Sequence, residues 1–538
     1  MRLPGTSAAV ALAVAVVILA TRAEAGKDAR PGKQPNVVVI LSDDQRADYL
    51  GCQGHPIVKT PNIDALAADG IRFSHAFATS AACTPNRTCI LTGQYERKHG
   101  VTFGSASSLK LEAFAETYPI QLRQAGYYVG YVGKNHTPVG KSAKGLGYKS
   151  GVMESQFDYW YGNHGHSSFY PKRRHPIYRN AAANTQIEIF QEGAMSFLKS
   201  NPEFAGTKDF LRTKPKDKPF CLLVNFNVPH GAGTGSMKQL PNDPELYRTK
   251  YRDRIKEMPL PEAYIAKRDT KTPKIPQHVY NGKFLRGYNY VQTPEALRER
   301  IVLTCQTVTG IDQLVGAVIS ELKRQGEYGN TVIVYTSDHG LHHGEHGLGG
   351  KVLLYEESIR VPLIIHDPRL PAGRRGTVVD ELALSMDIAP TILELAGVPI
   401  PGEVQGRSLK PVMSKEGSPW REDFFCENMF MGQNYPRIEG VRSKDFKFIR
   451  YFDKKKDKHH IVSLTASIRG EAPIYEELYD LKNDPRELKN LAESPAQREV
   501  LVEYRKRCQE LVVEAKGAPE YPKTHLKHAP RGYKTEGR

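Results

Sequence analysis

Along most of this chain, short runs dominated by apolar residues alternate with stretches of helical period. Asn36-Val37-Val38-Val39-Ile40-Leu41-Ser42 is rich in β-branched residues without polar alternation, the pattern of a strand covered on both faces in a parallel sheet. Thr60-Pro61 predicts a helix N-cap with proline at the first helical position, the helix running to Asp69 and stopping at Gly70. A helix is expected over Tyr118 to Ala125 and a strand over Tyr127 to Val132. Further buried strands are expected at Pro219 to Val228, Asn330 to Ser337 and Val361 to His366. Helices are expected at Thr293 to Gln325 and at Met386 to Ala396, the latter closed by Gly397. This alternation predicts an α/β fold with a large, mostly parallel central sheet flanked by helices. Ligands of such sheets bind beyond the carboxyl ends of the strands.

From about Ser418 the pattern changes. Phe424 to Met429, Gly440 to Phe452 and Tyr475 to Leu481 read as short antiparallel strands, and Pro495 to Ala515 as a helix with Ser494 as its N-cap. The expected organisation is an export signal over 1–25, a large α/β domain over 26–417, a smaller α+β subdomain on an antiparallel sheet over 418–516, and a basic tail over 517–538.

Composition narrows the setting. Arg2, the apolar run Ala8 to Ala20 and the small-x-small site Ala23-Glu24-Ala25 have the order of a secretory signal. That run is shorter than the roughly 20 residues a membrane span needs, and no stable span is expected. The formal net charge of +16 suits a polyanionic partner. No nucleic-acid motif is present, so sulfated polysaccharide is favoured over nucleic acid. Seven cysteines in 538 residues are too sparse for a disulfide scaffold, although an exported compartment permits some bridges. The two Asn-x-Thr sequons begin at Asn86 and Asn135, inside motifs discussed below, where a glycan would block chemistry. A bacterial periplasm or exterior is therefore expected.

Several strand ends carry candidate chemistry. Asp43-Asp44 follows the first strand, and Ser337-Asp338-His339-Gly340 follows another. Either pair alone reads as a turn or cap. Together they offer hard oxygen ligands for Ca2+ or Mg2+. Lys134 and His136 are two apart, so in extended chain both face one way and suit a sulfate or phosphate. His230, after a strand, and Lys351, after Gly347-Leu348-Gly349-Gly350, are unremarkable singly. Cys83-Thr84-Pro85-Asn86-Arg87 is followed by Leu91-Thr92-Gly93.

Taken in order, these motifs resemble the type I, formylglycine-dependent sulfatases of the alkaline phosphatase superfamily. The likeness continues through Gly344-Glu345-His346-Gly347, Tyr355 to Leu363, Asp387 to Thr391, Gln405 to Leu409 and Glu477 to Leu481. The resemblance implies that Cys83 is oxidised to formylglycine by a formylglycine-generating enzyme. It implies a cation, usually Ca2+ with Mg2+ as the alternative, on Asp43, Asp44, Asp338 and His339, touched also by residue 83. Many members carry Asn where His339 stands, an aromatic residue at Asn135, and Leu-Gly at Thr137-Pro138. Arg87 corresponds to the residue that steadies the formylglycine, Lys134 and His136 to the pair around the hydrate and sulfate, and His230 and Lys351 to groups on the sulfate and leaving alcohol. In the implied cycle one hydrate hydroxyl attacks sulfur, His230 protonates the leaving oxygen, and His136 takes the proton of the second hydroxyl as sulfate departs.

Basic and aromatic segments are expected to line the substrate rim: Gln156 to Tyr178, Asp243 to Tyr288, Gln433 to Arg437 and Lys454 to His460. They favour a sulfated carbohydrate, since aromatic rings stack on sugars and cations hold sulfates. The alternatives are an aryl or choline sulfatase, a phosphoesterase of the same superfamily, and a non-enzymatic polyanion-binding protein.

Overall fold

The computed structural model describes residues 33–516, apart from 104–106, 142–146, 200–214, 216, 231–235, 271–273, 277, 280–287, 418, 431–434, 454–466 and 469. The expected export signal 1–25, the leader up to residue 32, the rim residues Lys454 to His460 and the tail 517–538 lie outside the described residues.

Eight strands form the main sheet: β1 (Asn36–Asp43), β2 (Ile71–Phe73), β3 (Tyr128–Asn135), β4 (Tyr159–His164), β5 (Phe220–Pro229), β6 (Thr331–Ser337), β7 (Leu363–His366) and β8 (Thr377–Val379). Their spatial order is β8-β2-β7-β6-β1-β5-β3-β4. β1 is central, with Val38 paired in parallel to Leu222 on one side and Ile333 on the other. Alternate side chains of β1 enter different cores, as a period of two requires. Val38 and Ile40 join a cluster with α1 (Pro61–Ala68) and with Phe190, Ile301 and Val308 of two longer helices, and Val37, Val39 and Leu41 join a second with Ile120 and Ile392. The result is three layers, helix on sheet on helix.

β7 departs from expectation. It runs antiparallel to both neighbours, Leu363 lying opposite Thr336 and Ile365 opposite Ile71. The remaining pairs in this sheet are parallel. β3 also extends to Asn135, so Lys134 sits inside the strand instead of beyond it.

The helix packed across the sheet, α2 (Pro294–Arg324), begins where Thr293 accepts the Ala296 amide at 3.2 Å with Pro294 next. It is long and apolar enough to cross a membrane, but 78% of its most apolar window is buried in the protein. α1 is capped differently from the expectation. Thr60 makes no capping bond to α1; its hydroxyl donates to Asp64 (2.9 Å) and accepts the Gly51 amide. The first-turn amide of Ile63 is instead taken by Asp312 of α2 at 2.8 Å.

The C-terminal region holds four strands in one antiparallel meander: β9 (Asp423–Asn428), β10 (Arg437–Ser443), β11 (Phe446–Phe452) and β12 (Tyr475–Asp480). The single run expected from Gly440 to Phe452 is thus a hairpin turning at Lys444-Asp445. One face shares a core with the large domain, Phe424, Ile438 and Tyr451 packing with Phe77, Leu354 and Tyr355. The other face is covered by α3 (Arg498–Lys516) through Leu501, Cys508 and Val512. Ser494 makes no capping bond, and Pro495–Gln497 forms a 3-10 turn ahead of that helix. All seven cysteines are free.

Candidate active site

Four main-sheet strands deliver charged groups to one point at their carboxyl ends. β1 ends in Asp43, and the chain then turns through Asp44, whose φ of 61° lies in the left-handed region that Asp tolerates better than most residues. β6 leads into Asp338 and His339. β3 brings Lys134, and His230 follows β5.

Cys83 is the first residue of a ten-residue helix, Cys83–Thr92, every residue of which is buried. Its sulfur therefore lies at the positive end of the helix. Arg87 follows four residues later on the same face. Its Nε donates to Asp338 at 2.8 Å, and its Nη2 donates to Asp43 at 3.1 Å and to the Phe226 carbonyl at 2.9 Å. One guanidinium thus ties together the ends of β1, β5 and β6.

Around the Cys83 sulfur stand Lys351 Nζ at 2.9 Å, His339 Nε2 at 3.2 Å and Asp43 Oδ1 at 3.7 Å. Lys351 also donates to Asp44 at 2.7 Å, and Lys134 Nζ pairs with Asp43. His230 Nε2 lies 4.0 Å from Asp44. The structure thus brings together all ten predicted site residues. Cys83, Asp43, Asp44, Asp338, His339, Arg87, Lys134, His136 and Lys351 are buried, and His230 is partly exposed.

Burial raises the Asp43 carboxyl, but Lys134 and Arg87 more than offset it and hold it well below the usual carboxylate range. Burial leaves Asp44 raised, despite Lys351. Desolvation, with Lys351 adding to it, keeps His230 well below the normal imidazole value, and desolvation with Lys134 does the same at His136. Both rings are neutral at pH 7.

The donor set fits a divalent cation. Ligand atoms of Asp43, Asp44, Cys83 and His339 all lie within 4.8 Å of one another. His339 Nδ1 is 2.9 Å from the Gly340 carbonyl, which only accepts. In the neutral ring the proton therefore sits on Nδ1, leaving the Nε2 lone pair directed at the cluster, the orientation a metal-ligating histidine needs. Burial pushes this imidazole down, but Asp338 and the Cys83 sulfur together outweigh it and bring it up to about 9. These surroundings call for positive charge at that point.

The sequence places His166 only within the expected rim. Its ring is 4.5 Å from that of His136 and stacks on His230 at 5.1 Å, and its nitrogen falls within 4.8 Å of the Cys83 sulfur. It follows β4, a strand absent from the sequence reading. The aromatic run before it was the available signal. A cavity of about 350 Å3 opens beside these groups, lined by Phe103, Ser167, Arg174, Tyr288 and Phe430 among others. Two of the expected rim segments, those around Gln156 to Tyr178 and Asp243 to Tyr288, contribute to it. A cavity of similar size at the opposite ends of β3 and β4, near Arg123 and Asp158, holds none of the site residues.

Comparison with known proteins agrees with this geometry. Residues 35–398 match the family described as Sulfatase, and residues 344–514 match the C-terminal region of N-sulphoglucosamine sulphohydrolase. The chain is 27% identical to an N-acetylglucosamine-6-O-sulfatase of Bacteroides thetaiotaomicron, over 85% of this chain and 83% of that one. It is 29% identical to an arylsulfatase of Clostridium perfringens, over 92% and 99%. A solved structure described as a complex with its substrate D-glucosamine-2-N,6-O-disulfate superposes with a TM-score of 0.66 at 25% identity, covering 90% of this chain and 98% of that one. The chain belongs to the sulfatase family and is a sulfuric ester hydrolase.

Proposed function

We propose that this protein is an exported bacterial sulfatase that removes sulfate esters from a sulfated carbohydrate, using formylglycine at position 83 and a divalent cation, Ca2+ in the first instance. The observation that carries the reading is the convergence of Asp43, Asp44, His339 and Lys351, from distant parts of the sequence, on one sulfur atom. That sulfur stands in for the oxygens of the aldehyde hydrate, which would offer one hydroxyl to attack sulfur and another to release the sulfate. Asp43, Asp44, Asp338 and His339 are the residues that would hold the cation, which supplies Lewis-acid stabilisation of the sulfuryl oxygens.

The chain's own groups take the remaining work. Lys134 and Lys351 place two fixed positive charges where charge develops on the sulfuryl group. Arg87 holds Asp43 and Asp338 in register. An anionic sulfate beside neutral His230 raises its proton affinity and readies it as the donor to the leaving oxygen. His136 Nδ1 is buried with no partner among the described residues, free to take the proton of the second hydroxyl.

The carbohydrate assignment rests on the basic, aromatic cavity and on the saccharide sulfatases to which the chain is similar. Export rests on the leader pattern, and both sequon asparagines, Asn86 and Asn135, are fully buried, in keeping with a compartment without N-glycosylation. The test is desulfation of a panel of defined sulfated saccharides, with p-nitrophenyl sulfate and p-nitrophenyl phosphate as controls. Turnover of at least one saccharide at a kcat/KM above that of p-nitrophenyl sulfate is expected. Turnover of the aryl sulfate alone would refute the carbohydrate assignment, and preference for the phosphate would refute the sulfate ester itself.

A further inference from the structure

The cavity beside Lys351 has a lopsided charge. Its lining contains Lys351, Arg174, His166 and His230 and, among the described residues, not one carboxylate. Lys351 is already matched by Asp44 at 2.7 Å. Arg174 differs: among the described residues its guanidinium makes no ion pair and no hydrogen bond. It is also exposed and lies close enough to His166 to act on that ring electrostatically.

An arginine in a cavity lining with no carboxylate of its own to pair with has its donor fork available to an anion that enters. The segment that carries it is braced. His175 donates from its ring to the His166 carbonyl at 3.2 Å, the Phe169 amide donates to Ser236 at 3.3 Å, and Tyr170 donates to Asp243 at 2.5 Å. Gln186 donates to the Ser168 and Phe169 carbonyls at 2.9 and 2.8 Å. Arg174 is thus presented on a fixed turn, which limits the ordering cost of binding. A volume of about 350 Å3 accommodates a sugar ring between the two cationic ends, with Phe103 and Phe430 as apolar wall.

We propose that this cavity is a two-anion subsite, in which Arg174 recognises a second oxyanion on the same saccharide whose scissile sulfate lies at Cys83. The inference rests on the sulfated-carbohydrate reading and narrows it to substrates carrying at least two negative groups. The second group is a sulfate or a carboxylate, both of which pair with a guanidinium fork.

The experiment compares kcat/KM of wild type, Arg174→Ala and Arg174→Lys on three substrates: N-acetylglucosamine-6-sulfate, glucosamine-2-N,6-O-disulfate, and a disaccharide joining the 6-sulfated sugar to a uronic acid. Wild type is expected to prefer one of the doubly charged substrates, and that arm identifies the second anion as sulfate or carboxylate. In Arg174→Ala the preference, doubly over singly charged, falls by about tenfold to a hundredfold, the worth of a charge-assisted hydrogen bond. Arg174→Lys keeps part of it. A wild type without preference, or a preference unchanged in Arg174→Ala, overturns the two-anion subsite while leaving the carbohydrate reading intact. Failure of wild type on all three sugars overturns the two-anion subsite, and failure on the whole saccharide panel as well, with p-nitrophenyl sulfate still cleaved, overturns both.

Discussion

Two sets of charges are buried in this protein, and they are built on different principles. Beneath the C-terminal sheet, Arg97 is wholly buried and pairs with Glu427 at 2.6 Å and Glu439 at 3.0 Å, its guanidinium 5.1 Å from the Phe425 ring centroid. Glu439 is further held by Arg450 at 2.7 Å and Ser467 at 2.6 Å. At the strand ends, charges of both signs are also paired, yet they surround a group with no structural use for them. Lys351 and His339 point at the Cys83 sulfur, and His136 Nδ1 and Arg87 Nη1 are buried without partners among the described residues. Buried polar atoms left unmatched are costly, and a fold tolerates them where a ligand completes the set. The first network joins elements; the second awaits a substrate.

If that distinction is right, substitutions in the two regions have opposite signatures. The largest effect is expected from Cys83→Ala, which lowers kcat by about 10^4-fold or more, as loss of a catalytic nucleophile does, while thermal stability changes little. Wild-type turnover by this variant would end covalent catalysis at position 83. Exhaustive chelation comes next. It is expected to abolish activity, and saturating Ca2+ restores it while raising stability by about 3 kcal/mol at a hundredfold excess over Kd. Activity and Tm both indifferent to chelator would dissolve the cation site. Arg97→Met is expected to reverse the pattern, costing about 3–5 kcal/mol by stranding Glu427 and removing one partner of Glu439. Denaturant unfolding measures it, and kcat and KM of the folded fraction stay at wild-type values.

The smallest effect concerns acid. Burial pushes Glu439 up, but Arg97, Arg450 and Arg437 outweigh it, bringing it from 4.5 to about 2. A carboxyl lowered in the native state adds stability that is full above its unfolded value and is lost as pH falls through its folded value. The Glu439 contribution is therefore present above about pH 4.5 and disappears towards pH 2. In Glu439→Gln the fall in stability across that window is shallower, and an unchanged slope would show that Glu439 is not held low.

Much of this was legible from the residues. Runs such as Val37 to Leu41 announce strands buried on both faces, and the chemistry follows directly after them, so Asp43, Asp338 and His230 fall where strand ends were expected. The direction of β7 was not legible, because a strand covered on both faces shows the same apolar run whichever way it points. The helix starting at Cys83 was hidden by Pro85, Thr84, Thr88 and Thr92, weak helix formers overridden by complete burial. The cap of α1 came from Asp312, 249 positions from the amide it accepts, which no local signal records. His166 was missed for a related reason: its importance comes from lying between His136 and His230, segments that only the folded sheet makes neighbours.

The most direct test is the mass of the proteolytic peptide that contains position 83, taken from a preparation whose sulfatase activity has been measured. The mass of the aldehyde is expected in a fraction that rises and falls with specific activity. A peptide carrying intact cysteine throughout a fully active preparation would contradict it.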